Sequence, residues 1–270
     1  LVLRALQNFI GLRNAKVALT GAAPIAPDVV RFFRSIGVPL IEVYGLTEST
    51  GMVTGHRLDD VIVGTVGPVI DGVQYRIANP DDNGSGEFQI HGDMVFAGYY
   101  KNPEATAQTI VDGWLHTGDV VREVGGQIKI VDRLKDIMIT AGGKNLTPSE
   151  IENTMKASPY IKECIVVADG RKYVAALVQI DMETVGKWAE ARRLAFTHFR
   201  SLVEMPEVRQ LVQDEIATGN AKLAQVAQIR KFHLLTKELD HDDGEVTATM
   251  KVRRSSIYKT YANEIEALYS

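Results

Sequence analysis

Apolar positions near the start of the chain switch between helical and strand-like periods. Leu3, Leu6, Phe9 and Ile10 recur at helical spacing within residues 1–12, and residues 15–19 then form a short apolar run that predicts a buried strand. Pro27 and Asp28 open a second helical pattern through Val30, Phe33 and Ile36, which Gly37 stops, and residues 39–44 predict another strand. Strand, helix, strand in that order is an α/β unit. Over residues 61–131 the runs shorten and turn chemistry divides them, at Gly67-Pro68, Asp71-Gly72, residues 79–86, Asp112-Gly113 and Gly125-Gly126. That texture predicts a small β-rich, barrel-like subdomain, interrupted by a short helix near residues 103–110.

After residue 131 the chain reads as a separate α+β unit. Pro148 and Ser149 open a helix through Ile151 and Met155, and residues 161–168 and 173–180 predict a hairpin around Asp169-Gly170. Residues 183–224 are expected to be mainly helical, with Pro206 in a first turn and Val208, Leu211, Val212 and Ile216 tracing an apolar face. A strand at residues 226–235 and one closing helix over residues 255–269 complete the pattern. The expected domains are therefore 1–131 and 132–270, the second carrying a helical insertion at about 183–224.

Composition narrows the function classes. With 270 residues, 45% of them apolar and 24% charged, the chain can bury a real core. Its net charge of −4 lacks the basic field of a general nucleic-acid binder. The lone Cys164 sits in an apolar run that suits a buried hydrophobe better than a nucleophile, and one cysteine makes no disulfide framework, in keeping with the cytoplasm. No apolar run approaches the roughly 20 residues that cross a bilayer.

Four segments carry candidate chemistry: YGLTE at residues 44–48, WLHTGD at 114–119, DRLKDIMITAGGK at 132–144 and TATMKVRR at 247–254. Thr47 offers a hydroxyl for a phosphate oxygen and Glu48 a carboxylate for Mg²⁺, a hard-ion ligand set, while Tyr44 can stack on a purine. Thr47 capping a helix beside a solvated Glu48 accounts for the same residues. Gly21-Ala22-Ala23-Pro24 is a small-residue turn that lets backbone approach a flat ligand. Asp119 is placed to accept paired ribose hydroxyls, or is a turn residue after Gly118. His116 invites a catalytic role, but no carboxylate is its neighbour in sequence, so a structural role is expected. Asp132 to Asp136 forms either a solvated turn or a polar joint between domains. Gly142-Gly143 permits a thin ligand arm beside the backbone. Lys251, after the acidic segment 240–245, can stabilise negative charge developing on a transferring phosphate.

Taken together, these segments resemble the adenylate-forming superfamily of acyl-CoA synthetases, nonribosomal adenylation domains and luciferases. The resemblance spans the whole chain, and residues 86–106, 142–152 and 243–269 are most similar to bacterial long-chain fatty acyl-CoA ligases. It implies the C-terminal part of the large adenylation domain followed by a mobile α+β C-terminal domain. The implied reaction joins a fatty carboxylate to ATP with Mg²⁺, giving acyl-AMP and pyrophosphate, and the thiol of CoA then displaces AMP. By resemblance, Gly21, Ala22, Ala23 and Pro24 line the adenine and acyl pocket. Tyr44, with Gly45 behind it, stacks on adenine, Thr47 contacts phosphate and Glu48 binds the metal. Asp119 and Arg133 hold the ribose, Lys251 is the adenylation lysine, Lys135 is the hinge, and Gly142 and Gly143 flank the pantetheine arm.

One departure stands out. The family's Ser/Thr/Gly-rich phosphate loop occurs nowhere in the 270 residues. The expectation is a piece of a longer ligase, with little adenylation activity of its own. A fatty acyl-AMP ligase or another acid:CoA ligase shares nearly every motif. A noncatalytic module that binds nucleotide, or a partner through an exposed sheet edge, also remains open, as do the oligomeric state and peripheral membrane contact.

Overall fold

The parallel pair that opens the fold is made by the predicted strand, helix, strand unit. In the computed structural model, which describes residues 2–248 and 250–270, α1 (Val2–Phe9) precedes β1 (Ala18–Thr20), α2 (Pro27–Ser35) and β2 (Leu40–Leu46). Leu1, and Thr249 within the TATMKVRR segment, lie outside the described residues. Pro27 sits in the first turn of α2 with Asp28 beside it, and Arg34 occupies the last turn, so both ends match the helix dipole. β1 and β2 run parallel, Ala18 opposite Leu40, and α2 is the crossover that a parallel pair requires. β3 (Gly51–Gly55) then returns antiparallel to β2. It was not expected, since five residues with glycine at both ends carry no alternation of their own.

The β-rich region follows as β4 (Gln74–Ala78), β5 (Gly86–His91), α3 (Pro103–Thr109), β6 (Ile110–Val111), β7 (Trp114–Val124) and β8 (Gln127–Arg133). The strands form one sheet in the order β4-β5-β7-β6, with β8 also paired to β7. Val53, Phe88, Ile90, Leu115, Val121 and Ile128 make its core, and Tyr44 packs against them. A three-residue 3₁₀ turn, Leu134–Asp136, ends this first unit.

The second unit, Ile137–Ser270, is α+β. A small hairpin of β9 (Met138–Ile139) and β10 (Asn145–Leu146) leads into α4 (Pro148–Lys156), β11 (Ile161–Val167) and β12 (Val174–Ile180). Then come α5 (Met182–Ala191), α6 (Phe199–Val203), α7 (Pro206–Asn220), β13 (Ile229–Leu234), α8 (Arg254–Thr260) and α9 (Ala262–Ala267). β12 is central, antiparallel to β11 and parallel to β13, and every one of its residues is buried. Its alternation explains this: Ala176, Val178 and Ile180 join the cluster under α4, α5 and α7, whereas Ala175 and Leu177 face the cluster of Ile257, Tyr261 and Ile265 from α8 and α9. The expected closing helix is two helices. The break falls at Tyr261, which is buried and donates to the Glu245 carboxylate.

The chain thus combines an α/β part, a β-rich sheet and an α+β unit, the fold class expected from its sequence.

Candidate functional site

Strand pairing in the first unit gathers Tyr44, Asp119 and Arg133. β7 and β8 set Asp119 opposite Arg133, and the end of β2 brings Tyr44 alongside. The Tyr44 hydroxyl donates to Asp119 Oδ2 at 2.6 Å, and Arg133 Nε lies 3.2 Å from Oδ1. Thr117 shapes the approach: its hydroxyl donates to the Phe88 carbonyl at 2.6 Å and accepts from the Asp119 amide at 3.1 Å. Burial pushes the Asp119 carboxyl above the ordinary range, although the Tyr44 hydroxyl and the Arg133 guanidinium both act to lower it. An ionised carboxylate has about four lone-pair sites. Two are engaged by these neighbours, so Asp119 retains capacity for two further donors.

Tyr44 has a role that sequence did not suggest. Besides holding Asp119, its ring lies 6.0 Å from that of Phe88 at a tilt of 60°. Burial and the adjacent Asp119 charge hold its phenol well above the usual range, so it acts as a donor.

Thr47 and Glu48 lie on a 3₁₀ turn, Thr47–Ser49, directly after β2. Thr47 is exposed and sits inside the turn, so it is not the cap. That task falls to Ser49, buried, whose Oγ accepts from the Leu46 amide at 3.0 Å. The segment 94–99 fixes the turn from outside. Thr50 Oγ1 donates to Met94 O at 2.6 Å, the Phe96 amide donates to Glu48 O at 2.8 Å, and the Tyr99 hydroxyl donates to Glu48 Oε1 at 2.7 Å. Gly45 is demanded by the β2–β3 pairing, since a Cβ there would stand 1.8 Å from Gly51 O.

Gly21, Ala22, Ala23 and Pro24 form an exposed turn after β1. Gly21 is itself packed closely, its Cβ position 2.7 Å from Val43 O. In the DRLKD cluster, Asp132 is buried and its Oδ1 accepts from the Arg133 amide at 2.8 Å, so the cluster is not a simple solvated turn; Lys135 is exposed on the 3₁₀ turn. His116 gains partners that sequence proximity does not show. β5–β7 pairing sets its Nδ1 3.0 Å from Glu87 Oε2 and 3.1 Å from Gln89 Nε2, so it does have a carboxylate partner, one that is remote in sequence.

The second unit carries Gly142, Gly143 and Lys251. In the turn between β9 and β10, the Gly143 amide donates to Thr140 O at 2.8 Å, and Gly143 has φ +74°. The nearest neighbour of a Cβ at Gly142 would be Thr140 Oγ1 at 3.9 Å, ordinary contact, so the fold itself does not require glycine there. Lys251 is exposed beside the turn of a tight hairpin: Thr247 N donates to Lys251 O at 2.8 Å and Lys251 N to Thr247 Oγ1 at 3.0 Å. Among the described residues no group of three or more His, Cys, Asp or Glu is arranged to hold a metal, and no helix is long and apolar enough to cross a membrane.

Two family models cover most of the chain. That of the AMP-binding enzymes matches residues 4–100 and that of the AMP-binding enzyme C-terminal domain matches residues 135–270. The chain belongs to the AMP-binding enzyme family. Its relatives include the provisionally named fatty-acid–CoA ligase fadD11 of Mycobacterium tuberculosis, 39% identical over all of this chain and 47% of that protein. Long-chain-fatty-acid–CoA ligase FadD15 of the same species is 35% identical over all of this chain and 44% of its own length. The chain therefore spans about half the length of the curated relatives it matches. Among solved structures, the adenylation domain of a carboxylate reductase from Mycobacterium chelonae superposes with a TM-score of 0.75 at 27% identity, over 93% of this chain and 38% of that one. The corresponding domain from Segniliparus rugosus, solved with AMP and a co-purified carboxylic acid, gives 0.76 at 23% identity over 99% of this chain and 44% of that one, a likeness of fold. The fold is that of the adenylate-forming enzymes.

Proposed function

We propose that this AMP-binding family chain is the part of a fatty acid:CoA ligase that grips the ribose and phosphates of ATP and supplies the adenylation lysine. The observation that carries the reading is Asp119, buried and aligned by Tyr44 and Arg133, whose carboxylate by lone-pair count leaves two acceptor sites for hydroxyls. A ribose presents two adjacent hydroxyls as donors. The fatty-acid–CoA ligases among the relatives supply the substrate class.

In this reading the fatty carboxylate attacks the α-phosphorus of ATP, the bond to the bridging oxygen breaks, and pyrophosphate leaves. Asp119 and Arg133 fix the ribose end, so the reacting groups meet as if in one molecule. Tyr44 borders the adenine, with Gly21, Ala22, Ala23 and Pro24 along the same pocket. Thr47 donates to a phosphate oxygen. The charge of Lys251 would oppose the negative charge that builds on the leaving phosphate, an effect of the kind worth about 10²–10³ in rate. Glu48 fits Mg²⁺, because that ion commonly takes one or two carboxylates with the remaining sites on phosphate and water, and its charge would neutralise the triphosphate. Lys135 serves as the pivot between the two half-reactions, and Gly142 and Gly143 leave room beside the backbone for the pantetheine arm of CoA. With no Ser/Thr/Gly-rich phosphate loop in its sequence, the chain on its own is expected to release pyrophosphate far more slowly than an intact ligase.

The test is calorimetric titration of the purified chain with ATP and AMP, with and without Mg²⁺, for wild type, Asp119→Ala and Thr47→Ala. Binding that Asp119→Ala weakens for both nucleotides and Thr47→Ala weakens chiefly for ATP supports the assignment. Binding indifferent to both substitutions would sink it. Thioester formation with CoA separates a CoA ligase from an enzyme that stops at acyl-AMP.

A further inference from the structure

Lys251 lies on a hairpin whose two feet are tied to charged groups of the second unit, the buried Glu245 on one side and the part-buried pair of Arg254 and Glu152 on the other. On the incoming side, Glu245 is 1% exposed, and its carboxylate accepts from Lys237 Nζ at 2.8 Å, the Asp240 amide at 3.1 Å and the Tyr261 hydroxyl at 3.0 Å. On the outgoing side, Arg254 donates through Nη2 to Glu152 Oε1 at 2.8 Å and through Nη1 to the Val166 carbonyl at 3.0 Å. Glu152 Oε1 accepts in turn from the Val166 amide at 2.9 Å, and Tyr258 donates to the Val166 carbonyl at 2.6 Å. The amide and the carbonyl of one buried β11 residue, Val166, are therefore both bound by this cluster. Between the feet, Val246 bridges Val252, and the Arg253 amide donates to Glu245 O at 2.8 Å.

We propose that Glu152, Arg254 and Glu245 are positioning residues that hold the Lys251 hairpin as a preformed mount in the second unit. The inference rests on the reading of Lys251 as the adenylation lysine for its purpose, but not for its test. Removing one partner leaves the other charge poorly solvated, most severely at the buried Glu245 and less so at the part-buried pair of Arg254 and Glu152, so each tie resists opening. Tethering at both feet also removes chain entropy that a mobile loop would lose each time it entered a site. A catalytic lysine on such a mount arrives with its backbone already ordered. The SEIE segment at residues 149–152 thereby acquires a task at a distance, through Glu152.

Hydrogen exchange by NMR on the full chain without nucleotide tests this. In Arg254→Gln, the amides of Thr247, Lys251 and Arg253 should exchange at least about tenfold faster, while those of Ala176 and Val178 in β12 change less than about twofold. Arg254→Lys, which keeps one charged donor for Glu152, should recover part of the protection, and Glu245→Gln should loosen the same amides from the other foot. Unchanged hairpin amides in Arg254→Gln would overturn the proposal. So would equal acceleration across the whole unit, which marks a general structural role. Loss of nucleotide binding at Asp119 would strike the functional reading and leave this result standing.

Discussion

The hydroxyl of Tyr44, at the end of β2, donates to Asp119 Oδ2 on β7 across 2.6 Å. A charge-assisted bond of that length to a buried carboxylate fixes the direction of its lone pairs. Tyr44→Phe removes the donor and keeps the ring. It is expected to weaken AMP binding about 5- to 50-fold, corresponding to roughly 1–2.3 kcal/mol, with the circular dichroism spectrum unchanged. Calorimetry on the variant checks this, and wild-type affinity would show that Arg133 alone aligns the carboxylate.

Burial pushes the Glu42 carboxyl up to about 7, against a backbone hydrogen bond from Gly64 that acts to lower it, and one of its oxygens has no partner among the described residues. The unfolded group titrates at 4.5. Between these values the native state holds more protons than the unfolded one, so this group costs stability as pH rises from about 4.5 to 7. The cost is on the order of 3 kcal/mol once the pH is above 7. Glu42→Gln is expected to remove it, stabilising the protein at pH 8 and changing little at pH 4.5. His56 packs beside Glu42 and has its own value lowered by burial, which gives the opposite slope. Urea unfolding of wild type and variant at each pH isolates Glu42, because the His56 contribution is common to both.

Gly45→Ala places a methyl 1.8 Å from Gly51 O, a backbone atom that cannot swing away. The β2–β3 pairing must open, with a cost of about 3 kcal/mol or more. A fall in urea midpoint together with lost nucleotide binding is the expected result. Binding retained at wild-type strength would mean that the turn carrying Thr47 and Glu48 survives without this pairing.

Cys164 is 1% exposed, and burial, with the neighbouring Glu152 and Glu163 carboxylates, drives its thiol well above the usual range. Neither access nor thiolate is available in the native state. Alkylation by iodoacetamide at pH 8 should proceed only at the rate of opening, at least about 10²-fold slower than in urea. Prompt labelling of native protein would contradict the burial.

What the sequence made legible followed local period and turn chemistry. β12 is an apolar run broken only by Gln179 because both its faces are covered, and Pro27, Pro148 and Pro206 each mark the first turn of a helix. The elements could be found in this way, whereas the YGLTE and TGD segments stood out only through their order in the chain and their resemblance to the adenylate-forming superfamily. Long-range pairs could not: Tyr44 with Asp119, His116 with Glu87, Tyr99 with Glu48 and Arg254 with Glu152 are joined by strand pairing and helix docking, which leave no local signal. Tyr261 reads as one more helical apolar position, so the break it makes between α8 and α9 was hidden. Thr47 looked like a cap because Ser49, the residue that bonds the Leu46 amide, stands two places later.

The central claim is that Asp119 reads the ribose of a bound nucleotide, and the most direct measurement is calorimetric binding of AMP against 2′,3′-dideoxy-AMP to wild type and Asp119→Ala. Two hydroxyl donors to one buried carboxylate predict a preference for AMP of about 10- to 100-fold in wild type that Asp119→Ala abolishes. Equal binding of the two nucleotides to wild type, or no binding of AMP to the folded chain, would contradict the account.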